Sequence, residues 1–224
     1  MIDKVNRYER KWIYRKNNYL PLINSLLKSN LYFNFHYPAR KVNSIYFDTY
    51  SYSSIRQNLD GISNKKKIRI RWYGEREKLI KPYLEIKSKK GSETKKEFLK
   101  INELNEIGFL DFKNLNYIKD TINKVLKPKQ VLYPILTTHY DREYFISNNK
   151  KIRATIDYNL ESIYLKNFSE THQIKRFNSQ CILELKYSLD LDKHVRKSLD
   201  DITLRLSKNS KFVNSFFNKP SFFL

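Results

Sequence analysis

The sequence predicts an α+β fold: a mainly antiparallel, eight-stranded β-barrel covered by helices, with residues 1–224 forming a single domain. Three observations lead there. The 224 residues include 17 Tyr and 14 Phe, and 40% are hydrophobic, enough to bury a core and weighted toward strand formers. Charged and apolar residues alternate along several segments with the period of two that puts successive side chains on opposite faces of a strand. Long runs of this kind are joined by short turns, which suits antiparallel neighbours.

Strands are expected at residues 6–15, 42–49, 66–74, 82–90, 94–101, 132–147, 150–160 and 180–188. Helices are expected at 18–29, 51–58, 115–126 and 193–206. Pro21 suits a first helical turn, where its missing N–H has no partner to lose. Asn148-Asn149, between two strand runs, is a hairpin signal. The aromatic tail from Phe212 through Phe217 to Leu224 is expected to pack across one end of the barrel.

Lys and Arg number 44 against 23 Asp and Glu, a net charge of +21 that attracts polyanions. The four glycines, at 61, 74, 91 and 108, are too scattered for a phosphate-binding glycine loop or a dinucleotide fingerprint. No pair of cysteines and no tight group of the four histidines suggests zinc. Cys181 lies in an apolar run and reads as a buried small hydrophobe. The N-terminus lacks the apolar stretch of a signal peptide, and no run approaches the length needed to cross a bilayer; a soluble, cytoplasmic protein is expected.

The charges in the strands carry the functional signal. Arg69 and Arg71 alternate with Ile68, Ile70 and Trp72, so they share one face. Glu85 with Lys87, Arg153 with Asp157, Glu184 with Lys186, and Arg7, Glu9 and Lys11 do the same. Arg142 and Tyr144 form a further row. A single strand of this kind is ordinary; six together imply charged faces that converge on a polar channel. The candidate lining holds the cations Lys11, Arg56, Arg69, Arg71, Lys87, Lys95, Arg142, Arg153, Lys186, Lys208 and Lys211, against the acids Glu9, Glu85, Asp157 and Glu184. Such an excess in a confined space is costly without an anion. A linear chain of phosphates would neutralise it, and it suits arginine's paired donors. Duplex nucleic acid is not expected as a partner, because residues buried on a strand face cannot embrace it.

Taken in order, these segments resemble the catalytic domain of the vacuolar transporter chaperone family, a branch of the triphosphate tunnel metalloenzymes. Arg7-Tyr8-Glu9-Arg10-Lys11 is similar to its first strand, and Ser44-Ile45-Tyr46-Phe47-Asp48-Thr49 to its second. Arg69-Ile70-Arg71-Trp72-Tyr73-Gly74, Leu84-Glu85-Ile86-Lys87 and Lys95-Lys96-Glu97-Phe98 resemble the strands that follow. Tyr140-Asp141-Arg142, Arg153-Ala154-Thr155-Ile156-Asp157, Leu183-Glu184-Leu185-Lys186-Tyr187 and the closing Lys208-Asn209-Ser210-Lys211-Phe212 complete the set.

The resemblance implies transfer of the γ-phosphoryl group of ATP to a growing inorganic polyphosphate chain, with Mn²⁺ or Mg²⁺. It implies catalytic roles for Lys11, Arg69, Arg71, Lys87, Arg142, Arg153 and Lys211. Phosphate contacts would come from Arg56, Lys95, Lys186, Lys208, Ser210 and Tyr46, and the metal would sit on Glu184, with Glu9 as a second candidate. The hydrolase and cyclase branches carry Glu-x-Glu-x-Lys on the first strand; here Arg7, Glu9 and Lys11 stand instead. One metal-binding acid is thus replaced by a cation, which favours gripping a long polyanion. A tripolyphosphatase or nucleoside triphosphatase on the same barrel, and a non-catalytic polyphosphate-binding module, are the alternatives.

Overall fold

Nine strands and five helices make up the computed structural model, which describes residues 7–91, 93–108, 111–165, 173–177, 179–199, 206–207 and 209–217. The strands are β1 (Arg7–Arg15), β2 (Phe33–Thr49), β3 (Lys65–Tyr73), β4 (Tyr83–Lys90), β5 (Glu93–Lys100), β6 (Leu132–Ser147), β7 (Arg153–Tyr164), β8 (Gln173–Phe177) and β9 (Gln180–Ser188). The helices are α1 (Tyr19–Lys28), α2 (Ser53–Leu59), α3 (Phe112–Leu126), α4 (Asp192–Ser198) and α5 (Lys211–Phe217).

All pairings are antiparallel and follow the order β1-β9-β7-β6-β2-β3-β4-β5, with β8 paired to β7 beside this path. The sheet curls: Lys87 Nζ on β4 lies 3.4 Å from Glu9 Oε2 on β1, although the two strands stand near opposite ends of the order. It does not close by backbone pairing, since β1 and β5 are not hydrogen-bonded neighbours among the described residues. The backbone N–H of Ser207 instead donates to the Lys11 carbonyl at 2.9 Å, which sets Ser207 beside β1.

Apolar side chains pack outside this curl, and helices cover them. Leu22, Ile23 and Leu26 of α1 and Val195 of α4 join Trp12, Ala154, Leu183 and Leu185 on one side. On the other, Leu115, Ile118 and Ile122 of α3, spaced as one helical face, meet Ile68, Ile70, Trp72, Leu84 and Ile86. The Asp111 carboxylate caps α3 by accepting from Asn114 N at 2.8 Å, which starts the helix earlier than the apolar spacing alone suggests. Asp48, fully buried, accepts from Ser54 N and Ile55 N at 2.9 and 3.0 Å and so anchors the start of α2 to the end of β2.

Two strand expectations need correction. β2 begins at Phe33 rather than 42, and its first half is almost wholly exposed and irregular in register near Phe35, Tyr37 and Arg40. Exposure on both faces removes the alternation that would have marked it as a strand. β8 was not expected at all, and residues 148–152 form the β6–β7 turn rather than the start of β7. In that turn Asn149 Oδ1 accepts from Ser147 Oγ and Lys151 N, so the hairpin signal holds. The 193–206 helix is observed as α4, ending at Ser198; residues 200–205 lie outside the described residues. No helix among the described residues is long and apolar enough to cross a membrane.

Candidate functional site: a cation-lined tunnel

Alternation along β3 and β4 sends Ile68, Ile70, Trp72, Leu84 and Ile86 outward to α3. It leaves Lys67, Arg69, Arg71, Glu85 and Lys87 on the inner face, where Lys67 pairs across with Lys87 and Arg69 with Glu85. One guanidinium nitrogen of Arg69 donates to both Glu85 oxygens at 2.7 and 2.8 Å, and the other donates to the Tyr46 hydroxyl at 3.0 Å. Arg71 donates to the Tyr140 hydroxyl at 3.1 Å and to Ser44 Oγ at 3.4 Å, and lies 3.9 Å from Glu85. Lys96 on β5 completes the group, 3.1 Å from Glu85. Glu85 is 2% exposed. Burial alone would raise its pKa, but Arg69, Arg71 and Lys96 outweigh that and hold it at about 2.

The opposite wall is built from β6, β7, β9 and β1. Arg142 grips Asp157 with two parallel bonds, 2.5 and 2.7 Å, and Lys211, at the start of α5, pairs with the same carboxylate. The Lys211 ammonium also sits 4.8 Å from the centre of the Tyr140 ring. Glu184, 6% exposed, pairs with Lys186 and lies 3.5 Å from Lys11, which also binds Glu9 at 2.7 Å and the Asn209 carbonyl at 3.3 Å. Burial pushes Asp157 and Glu184 upward, yet Arg142 and Lys211 for the first, and Lys186 and Lys11 for the second, carry both below the usual carboxylate range. Glu9 is held at about 2: burial and Glu184 raise it, while Lys11, Lys87 and Lys186 lower it further. The four inward acids are thus ionised and already matched, and the remaining inward cations constitute the excess.

A VTC domain family model matches residues 6–217. The chain belongs to the VTC domain family. No curated protein matches it in sequence. In fold, this VTC domain is similar to a Hippeastrum protein described as a candidate adenylyl cyclase with a dominant triphosphatase activity, at 13% identity and a TM-score of 0.57, covering 95% of this chain and 96% of that one. Candidate adenylate cyclases of Vibrio parahaemolyticus and Bacillus halodurans align at 12% and 16% identity, with TM-scores of 0.46 and 0.45. They cover 88% and 90% of this chain and 83% and 93% of their own. The Hippeastrum likeness shows that the VTC domain has the triphosphate tunnel fold.

The VTC domain brings most of the sequence-predicted residues together. Lys11, Arg69, Arg71, Lys87, Arg142 and Lys211 meet the inner carboxylates as described above. Tyr46 is buried beneath Phe212 of α5, ring centres 4.9 Å apart, and Ser210 Oγ accepts from Lys67 Nζ at 3.0 Å. Arg153 stands opposite Lys186 in the β7–β9 register, both exposed, on the row that contains Glu184. Two of the described residues are not brought into the group. Arg56 is exposed on α2. Lys95 faces away and pairs with Glu97, because β5 places Lys96, not Lys95, opposite the inward Lys87. Lys208 lies outside the described residues.

The sequence reading missed Lys67, Lys96 and Tyr140. Extending the Arg69–Arg71 row by two would have found Lys67, and the same step back from Arg142 gives Tyr140. Lys96 had no such signal, since Thr94 to Glu97 contains no apolar residue to mark a face.

Glu9 and Glu184 both converge on the Lys11 ammonium, so they are the pair that would hold a divalent ion if one binds among the described residues. Thr155 Oγ1, cross-strand from Glu184, is buried and has no hydrogen-bond partner among the described residues. No group of three His, Cys, Asp or Glu side chains is placed to hold a metal among the described residues, so an ion here would need oxygens from the substrate.

Proposed function

We propose that this VTC domain is a divalent-metal-dependent phosphotransferase that moves the γ-phosphoryl group of ATP onto a growing inorganic polyphosphate chain in its tunnel. One observation carries the reading most: each inward carboxylate is already neutralised by inward cations, so the surplus cations face an anion with no free acid to repel it. In this reading the nucleophile is a terminal phosphate oxygen of the chain, and no protein nucleophile is required. Arg69, Arg71 and Arg142 hold phosphoryl oxygens with guanidinium donors fixed by Glu85, Tyr46, Tyr140 and Asp157. Lys11 and Lys211 bring ammonium charge to the oxygens where negative charge builds up. Mn²⁺ or Mg²⁺ on Glu184 and Glu9 would neutralise charge on the transferring phosphates.

A cation at position 7, on the row of Glu9 and Lys11, favours grip on a long polyanion over positioning of a hydrolytic water. The triphosphatase activity ascribed to the Hippeastrum protein supports hydrolysis as the second reading. Incubation with ATP and each divalent metal in turn, followed by gel analysis, separates them. Long polyphosphate chains are expected; orthophosphate alone would replace polymerase with hydrolase, and no product with any metal would overturn both.

A further inference from the structure

Lys67 has none of the roles above, yet it stands on the row of Arg69 and Arg71 and opposite Lys87. Lys11, Lys87, Lys96, Lys186 and Lys211 each have a carboxylate partner. Among the described residues no carboxylate pairs with Lys67. Its ammonium donates to Ser210 Oγ at 3.0 Å and lies 5.8 Å from the Phe212 ring centre, where the C-terminal segment meets the tunnel. A serine hydroxyl that accepts from Lys67 keeps its own O–H to donate onward. A half-buried amine and a hydroxyl donor, among cations and with no acid, form a pair that lacks only an anion.

We propose that Lys67 is a phosphate-binding residue of the tunnel, holding one phosphate of a triphosphate or polyphosphate chain together with Ser210 at the end covered by α5. This rests on the phosphate-tunnel reading above and adds to it a ligand and a location. Burial, then Lys87 on β4, Lys11 on β1, and Lys65 and Arg69 on its own strand, push the Lys67 amine down to about 7. Ser210 and Phe212, which face it from the C-terminal segment, carry no charge. Lys67 is therefore partly neutral in the free protein near pH 8, and an arriving phosphate draws a proton onto it.

The test is calorimetric titration of the full chain with inorganic tripolyphosphate at about pH 8, in two buffers of different ionisation heat, so that affinity and proton uptake are both read. Lys67→Met should weaken binding at least about tenfold, the loss of one charge-assisted contact, and should abolish the proton uptake seen with the wild type. Lys67→Arg should restore affinity without proton uptake, because arginine is already charged. Arg69→Ala serves as the control. If Arg69→Ala loses affinity while Lys67→Met binds like the wild type, Lys67 is not a ligand and the tunnel stands. If neither variant loses affinity, the phosphate tunnel itself fails. Should Lys67→Met not fold, Lys67→Arg decides alone: proton uptake that persists in it overturns the proposal, and uptake that vanishes with affinity retained supports it.

Discussion

Replacing Arg69 with alanine tests whether the inner acids or the crowded cations dominate the energetics of the tunnel wall. The substitution removes the nitrogen that donates to both Glu85 oxygens, and the bond to Tyr46. Glu85 is 2% exposed, so water cannot replace the lost donor. Its pKa falls from an ordinary 4.5 to about 2. At 1.36 kcal/mol per pKa unit this puts the net stabilisation of the carboxylate by Arg69, Arg71 and Lys96 on the order of 3 kcal/mol. Arg69 is the largest of the three contributors, while Lys96 at 3.1 Å and Arg71 at 3.9 Å remain. The expected loss is therefore about 1–2 kcal/mol at neutral pH, a drop in melting temperature of a few degrees for a chain of this size. Urea denaturation measures it. The gap between variant and wild type should narrow as pH falls below about 4, because the wild type then loses the advantage of an ionised Glu85. Adding Glu85→Gln to Arg69→Ala should recover most of the stability but not tripolyphosphate affinity. A single Arg69→Ala variant as stable as the wild type, or more so, would refute the reasoning: relief of like-charge crowding would then exceed the ion pair.

Two further outcomes follow from the same geometry. Glu184→Gln should cut metal-dependent turnover by at least about tenfold while tripolyphosphate affinity holds or rises, since Lys186 loses its carboxylate partner and Lys11 loses one of its two; full turnover in a steady-state assay would exclude Glu184 as the metal ligand. Glu9 and Glu85 are held near 2, and Asp157 and Glu184 below their usual range, so these groups stabilise the fold above about pH 4.5. That contribution is lost as pH falls toward 2, and a denaturation midpoint that stays flat down to pH ~2 would contradict the ion-pair assignments.

The inner face of the tunnel was legible in the sequence wherever apolar residues marked the outer one. Ile68, Ile70 and Trp72 frame Arg69 and Arg71; Leu183 and Leu185 frame Glu184. The reading lost its footing where that frame is missing. On β5 adjacent lysines offer no face, and nothing in the sequence distinguishes Lys95 from Lys96, which the register turns inward. Residues 33–41 are exposed on both sides and carry no alternation, so half of β2 went unseen. The matching of acids to cations was also out of reach. Arg69 with Glu85 and Arg142 with Asp157 are partners by cross-strand register, and Glu9 meets Lys87 only because the sheet curls. The described part of the aromatic tail packs on the sheet and α2: Phe212 lies against Tyr46, and Phe216 meets Tyr52 at a tilt and Tyr164 edge-on.

Because the sheet does not close through its backbone, β5 keeps one edge without a strand partner among the described residues. Such an edge is a template on which another polypeptide can add, and it is the usual starting point for aggregation. β5 answers with its composition. Five of the eight residues in Glu-Thr-Lys-Lys-Glu-Phe-Leu-Lys are charged, and nearly all of the strand is exposed. A second chain pairing there would have to strip water from a row of lysines and glutamates. The same lysine-rich composition that supplies Lys96 to the inner face thus also keeps the exposed edge of β5 from templating a second copy of the protein.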